Sequence, residues 1–123
     1  MRPLDLLILS KAIGAIPEAM GLSLIRTAYS SLAREARDIA TGVFDRQGRT
    51  VAQSEFIPIL VAALEPALAG VLRKHPWESW RPGDCGITND PFAGGQHLND
   101  IAVFTPIFDG ATLIGFAGSI AHH

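Results

Sequence analysis

Apolar positions recur at helical spacing from residue 4 to about residue 33. Leu6, Leu9, Ile13, Ile16, Met20, Leu24 and Tyr29 mark one stripe. Gly14, Pro17 and Gly21 interrupt it, and Pro17 predicts a kink or a division near Ala15 or Ile16. The period then shortens. Asp38 to Asp45 has strand character, Arg46-Gln47-Gly48 is a turn, and Arg49 to Gln53 returns as an antiparallel partner. Helical spacing resumes from Pro58 to about Lys74, where Leu60, Leu64, Leu68 and Leu72 repeat at four. Pro58 suits a first turn, and Pro66 predicts a bend.

His75-Pro76 closes that helix. Trp77 to Trp80 reads as a linker, and Arg81 to Asp84 as a turn opening a short strand, Cys85–Thr88. Asn89 to Asp100 is a glycine-rich loop. Two strands follow, Ile101–Phe108 and Leu113–Ile120, around the turn Asp109-Gly110. The predicted class is α+β: a broken N-terminal helix and a second helix packed on mostly antiparallel strands, with a C-terminal hairpin.

Composition narrows the function. Twelve glycines and eight prolines in 123 residues disfavour an all-helical bundle. Ten Lys and Arg against twelve Asp and Glu leave a net charge of −2, with no basic excess for phosphates, so no nucleic-acid partner is expected. The single Cys85 excludes an internal disulfide and a Cys-based zinc site, and fits a cytoplasmic setting. Cys85 itself reads as a small core residue. No run of about 18 consecutive apolar residues occurs, so no membrane partner is expected. A mean hydropathy of +0.26 nevertheless points to apolar surface meant for burial against further sequence or a partner subunit. A last strand running to His122-His123 adds the expectation that residues 1–123 are the N-terminal portion of a larger domain.

The chemistry concentrates in the loop from Asn89 to Asp100. Gly94-Gly95 permits close backbone approach, and His97 and Asp100 are three residues apart. The hairpin supplies the topological link: Asp100 precedes its first strand and His122 follows its second, so both lie at one end of the sheet. An imidazole and a carboxylate form half of a Zn²⁺ or Mn²⁺ shell. His122-His123 can supply the rest, and Asn89 and Asp90 further oxygens. A surface hydrogen-bonded pair is the alternative use of His97 and Asp100. Glu35, Arg37 and Asp38 read as a structural ion-pair cluster entering a strand.

Several blocks resemble the hydantoinase B family. They are Arg26-Thr27-Ala28-Tyr29-Ser30, Glu35-Ala36-Arg37-Asp38, Phe44-Asp45-x-x-Gly48, Pro82-Gly83-Asp84, Asn89-Asp90-Pro91-Phe92-x-Gly94-Gly95-x-His97-Leu98-x-Asp100 and Ala121-His122-His123. The resemblance implies the B-type subunit of an ATP-dependent hydantoinase or oxoprolinase acting on a small cyclic amide. Its hydantoinase A-like partner, in a hetero-oligomer, would bind ATP and phosphorylate the lactam or imide oxygen. The resemblance also implies a divalent metal, Zn or Mn, held by His97, Asp100 and His122, with Asp90 and His123 as further metal or substrate contacts. A subunit of an acetone-type carboxylase is the alternative chemistry, and a non-catalytic scaffold docking an A-type subunit the alternative class. One departure stands out: the family often carries histidines where this chain has Phe56 and Leu60, and neither offers an acid–base group.

Overall fold

The computed structural model describes residues 1–54 and 56–123. Helix α1 (Pro3–Thr27) and a short α2 (Ser31–Arg34) precede the hairpin β1 (Ile39–Asp45) and β2 (Thr50–Gln53). Helix α3 (Pro58–Lys74) follows, then a 3₁₀ turn at Trp77–Ser79 and β3 (Gly86–Thr88). A second 3₁₀ turn at Pro91–Ala93 leads to the long hairpin β4 (Asp100–Asp109) and β5 (Thr112–His122). The strands form one sheet in the order β2-β1-β5-β4-β3, and every pairing is antiparallel.

α3 covers one face of this sheet. Leu60, Ala63, Leu64, Ala67, Leu68 and Val71 recur at i, i+3 and i+4, and all are buried. They meet Ala40 and Phe44 of β1, Ala102 and Phe104 of β4, and Phe116 and Ile120 of β5. Each fully buried leucine stabilises the fold by about 1.5–3 kcal/mol. The aromatic rings meet edge to face: Phe44 and Phe104 at 6.2 Å, Trp80 and Phe116 at 5.1 Å. Trp80 donates its indole N–H to His75 O at 2.9 Å, which fixes the chain as it leaves α3.

α1 crosses the opposite face at β1. Thr41 lies out of phase with Ala40 and Phe44, and its hydroxyl donates to Pro17 O at 2.5 Å. Ser54 completes that stitch: its hydroxyl accepts from Thr41 N at 2.9 Å, and its own N–H donates to Thr41 O at 2.9 Å. Only Pro17 and Gly21 of α1 are buried. Gly21 packs against the Phe56 ring so closely that a Cβ there would lie 2.2 Å from a ring carbon.

Four sequence expectations need correction or relocation. The N-terminal helix runs unbroken through Pro17 and divides instead between Thr27 and Ser31. The lost proline hydrogen bond is offset locally, because the ring is buried and its carbonyl serves Thr41. Cys85 is exposed rather than in the core. It precedes Gly86, whose face packs on Trp80 and Val71, so Cys85 and Ile87 turn outward. Glu35, Arg37 and Asp38 form no ion pair among the described residues. Their backbone makes a turn instead, with Arg37 at φ 53° and Asp38 N donating to Leu32 O. Finally, β4 and β5 extend to Asp100 and His122, so these two residues belong to the ladder itself.

Candidate metal centre

Asp100 and His122 are direct cross-strand partners in the β4–β5 pairing. They share the alternation of Ala102 and Ile120, so both side chains leave the sheet on the α3 side. A chain reversal of three residues brings His97 to the same point: Asp100 N donates to His97 O at 3.0 Å, and His97 N donates to Asp100 Oδ2 at 3.0 Å. The carboxylate also bonds both rings. His97 Nδ1 lies 3.0 Å from Oδ2, and His122 Nδ1 lies 2.7 Å from Oδ1. The two imidazoles stand nearly perpendicular, with centroids 5.7 Å apart.

The three side chains form a graded site. Asp100 is 1% exposed, His122 28% and His97 58%. The carboxylate is thus removed from water while one imidazole faces it. Burial of a carboxylate is costly without compensating partners, and here two imidazole nitrogens and one backbone N–H supply them. One donor atom from each residue falls within 4.8 Å of the others. Ligands about 2.0–2.2 Å from a zinc ion sit about 3–4.5 Å apart, so small side-chain rotations would close the group on an ion.

The loop that carries His97 is tied down at several points. Asp90 Oδ1 accepts from Phe92 N at 2.9 Å and starts the 3₁₀ turn, while Asp90 O accepts from Ala93 N and Gly95 N. Asn89 Nδ2 donates to Leu98 O at 3.2 Å, and Gln96 Nε2 donates to Ile59 O at 3.1 Å. Asp90 therefore shapes the loop and stands outside the convergent group. His123 also stands outside it. Its backbone closes the sheet end, with His123 N donating to Asn99 O at 3.0 Å and Asn99 Nδ2 donating to His123 O at 3.1 Å. Phe56 and Leu60 are apolar packing positions, Leu60 being fully buried in the core.

Gly70 of α3 and Gln96 also bear on the site, and neither belongs to a ligand pattern in the sequence. A glycine inside an apolar helical stretch costs about 1 kcal/mol relative to alanine. That cost was the available signal that another backbone passes close to α3.

The chain is thus an α+β fold whose longest hairpin ends in a buried carboxylate between two imidazoles. Residues 2–123 match the model of the hydantoinase B/oxoprolinase family, and the chain belongs to that family. 5-Oxoprolinase 1 of Arabidopsis thaliana is 39% identical over 88% of this chain. The ATP-dependent caprolactamase from Pseudomonas jessenii superposes with a TM-score of 0.87 at 27% identity, covering 99% of this chain and 21% of its own. Nucleotide-free acetone carboxylase has the same fold, with a TM-score of 0.81 at 22% identity over 98% of this chain and 16% of its own. The chain spans only 8–10% of the length of curated 5-oxoprolinases that it matches.

Proposed function

We propose that this chain is the N-terminal part of the B-type subunit of an ATP-dependent cyclic amide hydrolase, with a divalent metal, Zn or Mn, held by His97, Asp100 and His122. The convergence of those three side chains at one end of the β4–β5 hairpin carries the proposal. The donor set fits: two imidazole nitrogens and one carboxylate suit either metal, and three protein ligands leave a position open for substrate or water. Such an ion, when bound, supplies Lewis acidity at a carbonyl carbon.

The chain's own residues hold and orient the site. Asp100 Oδ2 and Oδ1 stand within hydrogen-bond distance of the two Nδ1 atoms and keep both rings beside the carboxylate. The backbone bonds between His97 and Asp100 set the loop, and His122 is held by strand pairing. His97 is the exposed member, so it is the ligand most open to an incoming small cyclic amide. ATP is assigned to a hydantoinase A-like partner in a cytoplasmic hetero-oligomer. The 39% identity to a 5-oxoprolinase supports the hydrolase reading. The likeness to acetone carboxylase, at 22% identity, concerns the fold.

The full-length protein, combined with its A-type partner, tests this on a panel of five-membered cyclic amides with ATP. The expected result is ring opening with stoichiometric ADP release, lost in His97→Ala. Ring opening without ATP, or full activity in His97→Ala, would overturn the assignment.

A further inference from the structure

The loop that delivers His97 runs antiparallel along α3, and it does so at a separation that side chains would forbid. Gly70 faces Ala93: a Cβ at Gly70 would lie 1.8 Å from Ala93 O and 3.0 Å from Ala93 C. One step on, a Cβ at Gly94 would lie 2.2 Å from Pro66 O and 2.4 Å from Pro66 C, and Gly94 has φ 111°. Two steps further, Gln96 Nε2 reaches Ile59 O in the first turn of the helix. Loop positions 93, 94 and 96 thus meet helix positions 70, 66 and 59 in order. His97 is the next residue, and it emerges beside the start of α3.

From this the geometry points to Gly70, together with Gly94, as a positioning residue of the His97–Asp100–His122 centre: the missing side chains let the loop seat on α3, and that seat fixes where His97 meets Asp100 and His122. The inference rests on the proposed metal centre for its ligand, and on the two close approaches for its mechanism. An alanine at Gly70 suits helix propensity, so α3 tolerates the replacement; the obstruction is Ala93 O, which must withdraw. Withdrawal of Ala93 moves the chain that leads, four residues later, to His97. The registered strand pair leaves Asp100 and His122 where they are. The expected defect is therefore a mis-set third ligand within an otherwise intact sheet.

The test uses the full-length protein stripped of metal, titrated with Mn²⁺ and followed by electron paramagnetic resonance. Gly70→Ala should weaken Mn²⁺ binding by about tenfold or more, the scale on which loss of outer-shell support acts. It should also change the line shape of the bound ion. Gly14→Ala is the control, because a Cβ there meets nothing within 4 Å; it should bind as the parent does. Deuterium uptake of residues 91–99 without metal gives an independent readout, and it should rise in Gly70→Ala and not in Gly14→Ala. Gln96→Ala releases the other end of the seat without altering α3. It should weaken binding in the same direction, and it keeps the test open if Gly70→Ala does not fold. Parent-like Mn²⁺ affinity and line shape in a folded Gly70→Ala protein would overturn the inference and leave the metal centre standing. If the parent protein itself binds no Mn²⁺, the metal assignment fails. Deuterium uptake then decides: a rise confined to 91–99 supports the seat, and unchanged uptake overturns it.

Discussion

At the scale of single residues, Asp100 is the keystone of the site. It is almost fully buried, accepts from His97 N, and lies 3.0 Å from His97 Nδ1 and 2.7 Å from His122 Nδ1. Asp100→Asn keeps the shape and removes the charge that attracts a cation. That variant should lose at least about tenfold in Mn²⁺ affinity while its far-ultraviolet circular dichroism stays unchanged; isothermal titration calorimetry with equal affinities for parent and variant would count against the role. The convergence of His97, Asp100 and His122 was legible in the chain, because a hairpin turn at Asp109-Gly110 forces the residues flanking its strands together. The parts of Asp90 and His123 were not legible. Both depend on how the loop closes, through the Asp90 cap on Phe92 N and the His123–Asn99 backbone exchange, and no spacing rule encodes either.

At the scale of elements, strands and the second helix follow their patterns, whereas the first helix departs from its own. The leucine repeat in α3 is driven by burial on one face, β1 is buried on both faces between α3 and α1, and each element keeps the bounds its pattern implies to within about two residues. Pro17 has the opposite lesson. A mid-helix proline costs about 3 kcal/mol in isolation, but a tertiary contact through Pro17 O and Thr41 holds α1 continuous. Hairpin and helix are tied elsewhere by Glu65. The Thr50 hydroxyl and the Thr50 N–H both donate to Glu65 Oε2, and together they hold this carboxyl below the usual carboxylate range. Asp45 is lowered as well: partial burial acts to raise it, but donors from the Arg49 backbone and side chain and from Gln47 N outweigh that. A carboxyl depressed by folding contributes stability above its unfolded value, and that contribution disappears as pH falls through the folded value. Denaturant midpoints measured from pH 6 downward should therefore fall in the acid range below the usual carboxylate pKa. Glu65→Gln should fall less steeply, and an identical acid slope in the two proteins would refute the tie.

At the scale of the whole molecule, α1 dominates. Leu4, Leu6, Leu7, Ile8 and Leu9 are 46–60% exposed, and four of them are consecutive, so the apolar surface wraps the helix. Its length and composition meet what a bilayer-spanning helix needs, and the same properties suit a helix sunk into a larger protein body. The 13.1 kDa chain alone should associate through this helix. Size-exclusion chromatography with light scattering should give a mass above the monomer, restored toward it by Leu7→Lys with Ile8→Glu; a monodisperse monomer of the parent chain would contradict that. The excess hydropathy hinted at such a surface, but its location was hidden, because a stripe for the core and a coat for a partner use the same residues.

The central claim, a divalent metal on His97, Asp100 and His122, is tested most directly by anomalous X-ray diffraction from crystals of the full-length protein grown with Mn²⁺. The account predicts one anomalous peak at the end of the β4–β5 hairpin, at bonding distance of about 2.0–2.3 Å from a nitrogen of each imidazole and an oxygen of Asp100. A peak bound by other residues, or none between these three under saturating Mn²⁺, would contradict it.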